Sequence, residues 1–252
     1  MSKPVVALQL YTIRDFINAD LKGTLAKVKE MGYNYVELAG LYDLSAQEFR
    51  QILDETGLQA ISAHVGYGDL ANDLDGTVAA YKTLGCKYAA IPWADSANLP
   101  GGANWAAAKK FFIDAGAKLK AAGITPMYHN HEHELEKLPN GELILDAFYN
   151  ELPDYHAQMD TGWIAFMNMC PAEYIGKYAG RCPSIHFKDT IVTDGKITDY
   201  PVGSGSQDIP AIAKTAVAGG AKFFVAELDD ATGMTSMEAA KQSLEYLKSL
   251  GY

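Results

Sequence analysis

The sequence predicts an α/β chain closed into a (β/α)8 barrel, and three observations carry that expectation. The chain has 252 residues, 48% of them hydrophobic, enough for one large domain with a substantial core. Five segments repeat one grammar: EMGYNYVEL, ETGLQAISAH, TLGCKYAAIPW, AAGITPMYHNH and AGGAKFFVAEL. In each, a helical pattern stops at a glycine and a short β-rich run follows. The full set of such units comes to eight, which is the size of a TIM barrel. An open doubly wound sheet usually has fewer strands and a glycine-rich dinucleotide turn after the first, and no such turn follows Leu10. No linker, low-complexity stretch or charge block divides the chain, so 1–252 reads as a single TIM barrel domain.

In chain order, a strand at 5–10 leads to a helix at 21–31. A strand at 35–38 precedes a helix at 45–56, where Ser45 and Glu48 form a capping box. Strands at 59–64 and 88–92 precede helices at 74–84 and 105–121. Gly32, Gly57, Gly85, Gly123 and Gly220 suit the left-handed position just past a helix. The long span from Gly123 to Gly180 holds two units, a strand at 125–129 with a helix at 142–150 and a strand at 156–159 with a helix at 171–178. The second of these strands, in YHAQMD, follows LPD rather than glycine. Strands at 184–187 and 223–227, with helices at 209–218 and 236–250, complete the barrel.

Composition narrows the function. Lys and Arg number 21 against 31 Asp and Glu, for a formal charge of −10, and no basic block interrupts this balance. Such a chain repels phosphate backbones and anionic lipid, so neither nucleic acid nor membrane is an expected partner. Cys86, Cys170 and Cys182 are odd in number and lack a CxxC spacing, which fits reduced thiols rather than disulfides or a zinc ribbon. The N-terminal MSKPVVALQLYTIRD has no long apolar stretch with a cleavage site, and no segment reaches membrane-spanning length. The expectation is a soluble cytoplasmic protein, compatible with a homo-oligomer.

Chemistry in such a barrel sits at the C-terminal ends of the strands. Those ends read Gln9 and Tyr11; Glu37; His64; Trp93; His129 and His131 with Glu134; Asp160; His186 with Lys188; and Glu227 with Asp229. Five of the six histidines fall in or just beyond these windows, and His156 alone begins a strand. An isolated His or carboxylate in this list reads most simply as a bonded core group or a helix cap. Their recurrence at one end of successive units favours a site. The run MYHNHEHELEK holds three histidines at period two, which would project together from a strand end where a metal can collect them. Glu132, His133 and Glu136 are expected in a solvated loop. Trp93 and Trp163 read as packing residues or sugar platforms. The Gly203–Ser204–Gly205 turn reads as a helix lead-in or, less readily, a phosphate cradle.

The order LQLYTIR, VEL, SAH, YHNH…E, MDTGW, HFKD and VAEL resembles the xylose-isomerase-like TIM barrels, the sugar (phosphate) isomerase/epimerase family, across essentially the whole chain. The resemblance implies one divalent metal held by a Glu on strand five, an Asp on six, a His on seven and a Glu on eight. Asp160, His186 and Glu227 take the last three places. Strand five departs from the pattern, so His129 takes the ligand position and His131 the adjacent substrate-facing one, with Glu134 curling back as the alternative ligand. Two imidazoles and two carboxylates suit Mn, Co, Fe or Zn better than Ca, and Mg remains open.

The implied activity is isomerisation or epimerisation of a small-molecule keto-sugar through a metal-bound enediolate. Glu227 is the first candidate for the base, with Glu134 and Lys188 in the catalytic set. Gln9, Glu37, His64, Trp93 and His131 are expected to contact substrate, and Glu37 could instead orient a ligand histidine. The same enediolate could expel a β-leaving group, so a dehydratase of a keto-sugar or keto-inositol is the runner-up. A non-catalytic metal- or sugar-binding barrel would share the same pattern.

Overall fold

Left-handed glycines end the helices where the repeat places them. The computed structural model describes residues 3–252. Gly32 (φ 102°) and Gly57 (φ 70°) close the helices Leu21–Met31 and Ala46–Thr56, a backbone conformation that costs glycine nothing and turns the chain into the next strand. The capping box of Ser45 and Glu48 forms, and Thr235 with Glu238 makes a second one before the helix Ser236–Ser249.

Eight strands make the barrel: β1 Val5–Gln9, β2 Tyr35–Ala39, β3 Gln59–His64, β4 Tyr88–Ile91, β5 Thr125–His129, β6 His156–Asp160, β7 Ser184–Phe187 and β10 Phe223–Ala226. Two more, β8 Asp189–Thr193 and β9 Lys196–Tyr200, stand outside it. The barrel closes in the order β1-β10-β7-β6-β5-β4-β3-β2, every neighbouring pair parallel. Helices fill the connections and bury one face against the outside of the strands, where Phe49, Phe112, Phe148, Tyr155 and Phe224 belong to the main core.

Inside the barrel, period-two alternation sorts side chains by height. Ala7, Ala90, Met127, Phe223 and Val225 form an apolar plug lower in the barrel. Two positions on from Ala7, Met127 and Val225, the same strands present Gln9, His129 and Glu227. The register sets polar neighbours side by side at this height: Gln9 beside Glu37, His129 beside Gln158, and Asp160 beside His186.

Several elements differ from expectation. β1 stops at Gln9, whose side chain accepts from the backbone N–H of Tyr11 and starts a 3-10 turn at Leu10–Ile13. Short helices at Arg14–Ala19, Tyr67–Asn72 and Thr161–Phe166 lie in the loops above the strands. After β7 the chain makes the antiparallel hairpin β8–β9 where a plain loop was expected. Its two-residue turn, Asp194 (φ 51°) and Gly195 (φ 71°), has both residues left-handed, the type I′ geometry that an Asp-Gly pair favours. The Gly203–Ser204–Gly205 turn is not free to cradle phosphate. The backbone N–H groups of Gly203, Gly205 and Gln207 all donate to the buried Asp189 carboxylate.

Candidate metal centre

At the C-terminal mouth of the barrel, one donor atom each from His129, Asp160, His186 and Glu227 lies within 4.8 Å of the others, and all four residues are buried. Asp160 ends β6 and caps the helix behind it: Oδ1 accepts from the N–H groups of Gly162 (2.8 Å) and Trp163 (3.1 Å). That bonding leaves Oδ2 buried without a well-aligned hydrogen bond, its neighbours being Lys188 Nζ at 3.2 Å and His129 Nε2 at 3.8 Å. Burial pushes the Asp160 carboxyl up to about 7, with Lys188 pulling against it. Asn130, in the strand-five loop, fixes the strand end by accepting from the N–H of Asp160 at 3.0 Å.

His186 lies between two carboxylates, with Nδ1 2.6 Å from Glu227 Oε2 and Nε2 2.7 Å from Glu37 Oε1. The Nε2 contact is close but poorly aligned for a hydrogen bond. Burial opposes the charged ring, yet Glu37 and Glu227 together raise His186 to about 10. His129 differs: burial, reinforced by neighbouring His186 and His64, drives its pKa well down and keeps the imidazole neutral. Its Nδ1 has no partner. His64 stacks 5.1 Å from His186, and a donor atom of His64 also lies within 4.8 Å of those of His129 and His186.

Buried atoms without partners are rare because desolvation is costly. Here unpartnered nitrogen and carboxylate oxygen atoms collect in one place. Imidazole nitrogens and carboxylate oxygens in that grouping are the donor set a divalent transition metal takes, His186 giving up its ring proton when the metal binds. Of the sequence-predicted ligands, His129, Asp160, His186 and Glu227 come together.

Glu134 does not join them. It is fully buried, accepting from Tyr128 Oη at 2.6 Å and from the His131 N–H at 2.8 Å, with His133 Nε2 at 3.1 Å. It shapes the strand-five loop, and the expected role as ligand or acid–base group finds no support. His133 is half-buried rather than solvated, because that same carboxylate and the Ala94 carbonyl hold its ring.

Gln9 and Glu37, expected at the substrate, lie beneath the site with no exposure. Glu37 accepts from Gln9 Nε2 (2.7 Å), Gln158 Nε2 (2.7 Å) and the Ser62 hydroxyl, and lies 3.1 Å from His64 Nε2. Burial opposes ionisation, but His186 and His64 hold its carboxyl down at about 2. Glu37 is therefore a charged pedestal for two histidine rings. Lys188 is equally enclosed. At 1% exposure its ammonium lies 2.9 Å from Asp229, 3.2 Å from Asp160 and 3.7 Å from Glu227. Despite the burial penalty these carboxylates keep it protonated.

Sequence reading missed Gln158, which holds His64 Nε2 at 2.7 Å through its Oε1, and also Ser62 and Asn130. Gln158 was findable: it lies two positions before Asp160 and so shares its face of the strand.

Above the cluster opens a cavity of about 470 Å³, within the range that small-molecule sites occupy. His64, His129, His131 and Glu227 reach it from the barrel, and Tyr11 and Trp93 wall it, with 44% and 51% of their surface exposed. Trp93 is thus a surface of the cavity rather than core packing. His131 lines the cavity as well, its Nδ1 buried and without a hydrogen-bond partner.

A family model for the xylose isomerase-like TIM barrel matches residues 25–250. No curated protein matches the chain. A sugar phosphate isomerase/epimerase from Parabacteroides distasonis superposes with a TM-score of 0.80 at 25% identity, over 98% of each chain. A xylose isomerase-like TIM barrel protein from Mycobacterium smegmatis, in complex with magnesium, gives 0.72 at 18% identity, over 99% of this chain and 98% of that one. D-allulose 3-epimerase from Methylomonas sp. gives 0.73 at 13% identity over 99% of each. These last two likenesses are of fold.

Proposed function

Because the chain belongs to the xylose isomerase-like TIM barrel family, we propose that it is a divalent-metal-dependent sugar isomerase or epimerase acting on a keto-sugar. The observation that carries this reading is the grouping of four buried donors, His129, Asp160, His186 and Glu227, two of which, His129 and Glu227, line a ligand-sized cavity. These four side chains would hold the cation. When bound, it supplies a Lewis acid that polarises a carbonyl and its neighbouring hydroxyl.

The chain's own groups do the proton chemistry. Burial opposes it, but Lys188 and His186 hold the Glu227 carboxyl well below its usual range, so it is ionised, and as a carboxylate lining the cavity it can take a C–H proton α to the carbonyl. His131 is the opposing acid–base group. Burial lowers its pKa, so the ring is neutral, and because it lines the cavity it can exchange a proton with a substrate oxygen or carbon. Trp93 and Tyr11 cover the sugar and exclude water from the reacting carbons.

The test is solvent-deuterium incorporation into a panel of keto-sugars, with metal content measured in parallel. Wild type should exchange the α C–H and release an isomer or epimer. Glu227→Gln keeps an oxygen for coordination but is no base, so it should retain bound metal while exchange falls at least about a hundredfold. Exchange at the wild-type rate with metal bound would remove Glu227 from the role. An eliminated product would move the enzyme to the lyases.

A further inference from the structure

The electrostatics of the cavity separate two kinds of sugar. Its wall carries three carboxylates, Glu227 on the floor, Asp229 beside it and the exposed Asp69 at the rim, and no Lys or Arg lines it among the described residues. Cations nearby are already matched. Lys188 is buried under the floor between Asp160, Glu227 and Asp229. Arg14 lies over the Tyr11 ring at 4.1 Å and spends its guanidinium on the carbonyls of Tyr11 and Asp229, with Asp230 at 3.7 Å. The glycine-rich turn that could have received a phosphate donates its N–H groups to Asp189 instead.

A divalent cation on the floor would be balanced by Asp160 and Glu227, and Lys188 by Asp229. Asp69 is then left over, and the rim is negative. The other exposed surfaces are Tyr11 and Trp93, aromatic faces that suit the C–H face of an uncharged ring or chain.

We propose that the cavity takes an uncharged sugar and discriminates against sugar phosphates. This rests on the sugar-isomerase reading for the chemistry, but the selectivity belongs to the cavity wall. A phosphate dianion brought near the rim meets like charge with no cationic side chain to receive it, which weakens binding by on the order of tenfold.

Matched pairs test this: D-fructose against D-fructose 6-phosphate, and D-ribulose against D-ribulose 5-phosphate, titrated by saturation-transfer NMR into metal-free and manganese-loaded protein. The uncharged member should bind at least about tenfold tighter in both pairs. Inorganic phosphate should not compete with it. Asp69→Asn should narrow the ratio, and Trp93→Ala should weaken the uncharged sugars without improving the phosphates. Tighter or equal binding of the phosphorylated member overturns the proposal, as does failure of every uncharged sugar to bind. Selective binding of uncharged sugars with no C–H exchange would sustain the selectivity and sink the isomerase reading.

Discussion

His129 shows what a single residue can and cannot reveal. Its place at the end of the fifth strand followed from period two and the repeat, and so did its proximity to Asp160. What Glu134 does was not legible, because a carboxylate in the loop beyond a strand end can fold toward the site or away from it. Tyr128, a buried hydroxyl on the outward face of the same strand, decides the matter by binding it. Lys188 was placed in the catalytic set, with an ion pair to a neighbouring strand-end carboxylate equally open, and it is Asp229, 41 residues on, that its ammonium reaches. The cage makes a strong prediction. Lys188→Ala takes the counter-charge from buried Asp160 and leaves Glu227 with His186 alone, and should cost about 3–5 kcal/mol in urea unfolding. An unchanged midpoint would contradict the cage.

Among the elements, the barrel strands were the most legible, because each is a short apolar run bounded by glycine and a polar end. The hairpin β8–β9 was not recognised, although TIVTDGKITDY carries an Asp-Gly turn between β-rich arms. Its signal was local, while the eight-unit repeat already accounted for every strand. Gly195→Ala tests the turn: at φ 71° an added Cβ should cost about 1 kcal/mol or more, seen as a lower thermal midpoint. Elsewhere, the helices Ile144–Glu151 and Pro171–Gly176 are tied by Asp146, which accepts from Tyr174 Oη at 2.9 Å and Lys177 Nζ at 2.8 Å. Burial opposes it, but these partners and Tyr178 lower the Asp146 pKa. A depressed folded-state pKa contributes stability above the ordinary 3.8, and that contribution is lost as pH falls through the lower folded value. Asp146→Asn should therefore flatten part of the acid limb of a thermal-stability profile below about pH 4. An acid limb identical to wild type would show that Asp146 takes no part in it.

For the whole molecule, closure is what converts scattered residues into a site. His64, His129, Asp160, His186 and Glu227 span 164 positions of sequence, from 64 to 227, 227 − 64 + 1 = 164. Parallel registry sets their strand ends at one height around the mouth. The sequence exposed that convergence because the repeat fixes which end of each strand is the C-terminal one. Of the layer beneath, it reached Glu37 as an orienter of a ligand histidine, but not the bonds that Gln9, Ser62 and Gln158 make to Glu37 across the barrel, since those contacts depend on the stagger between strands, including the shift between Val36 and Glu37 in the pairing of β2 with β3. The central claim is that this mouth holds a divalent cation. Asp160→Asn tests it most directly, because asparagine keeps the Oδ1 that caps the following helix and replaces only Oδ2, the oxygen that faces Lys188 Nζ at 3.2 Å and would bind the cation. Metal content after dialysis, measured by plasma mass spectrometry, should be close to one divalent ion per wild-type chain and far lower in Asp160→Asn at unchanged circular dichroism. Equal metal content in the two proteins would contradict the account.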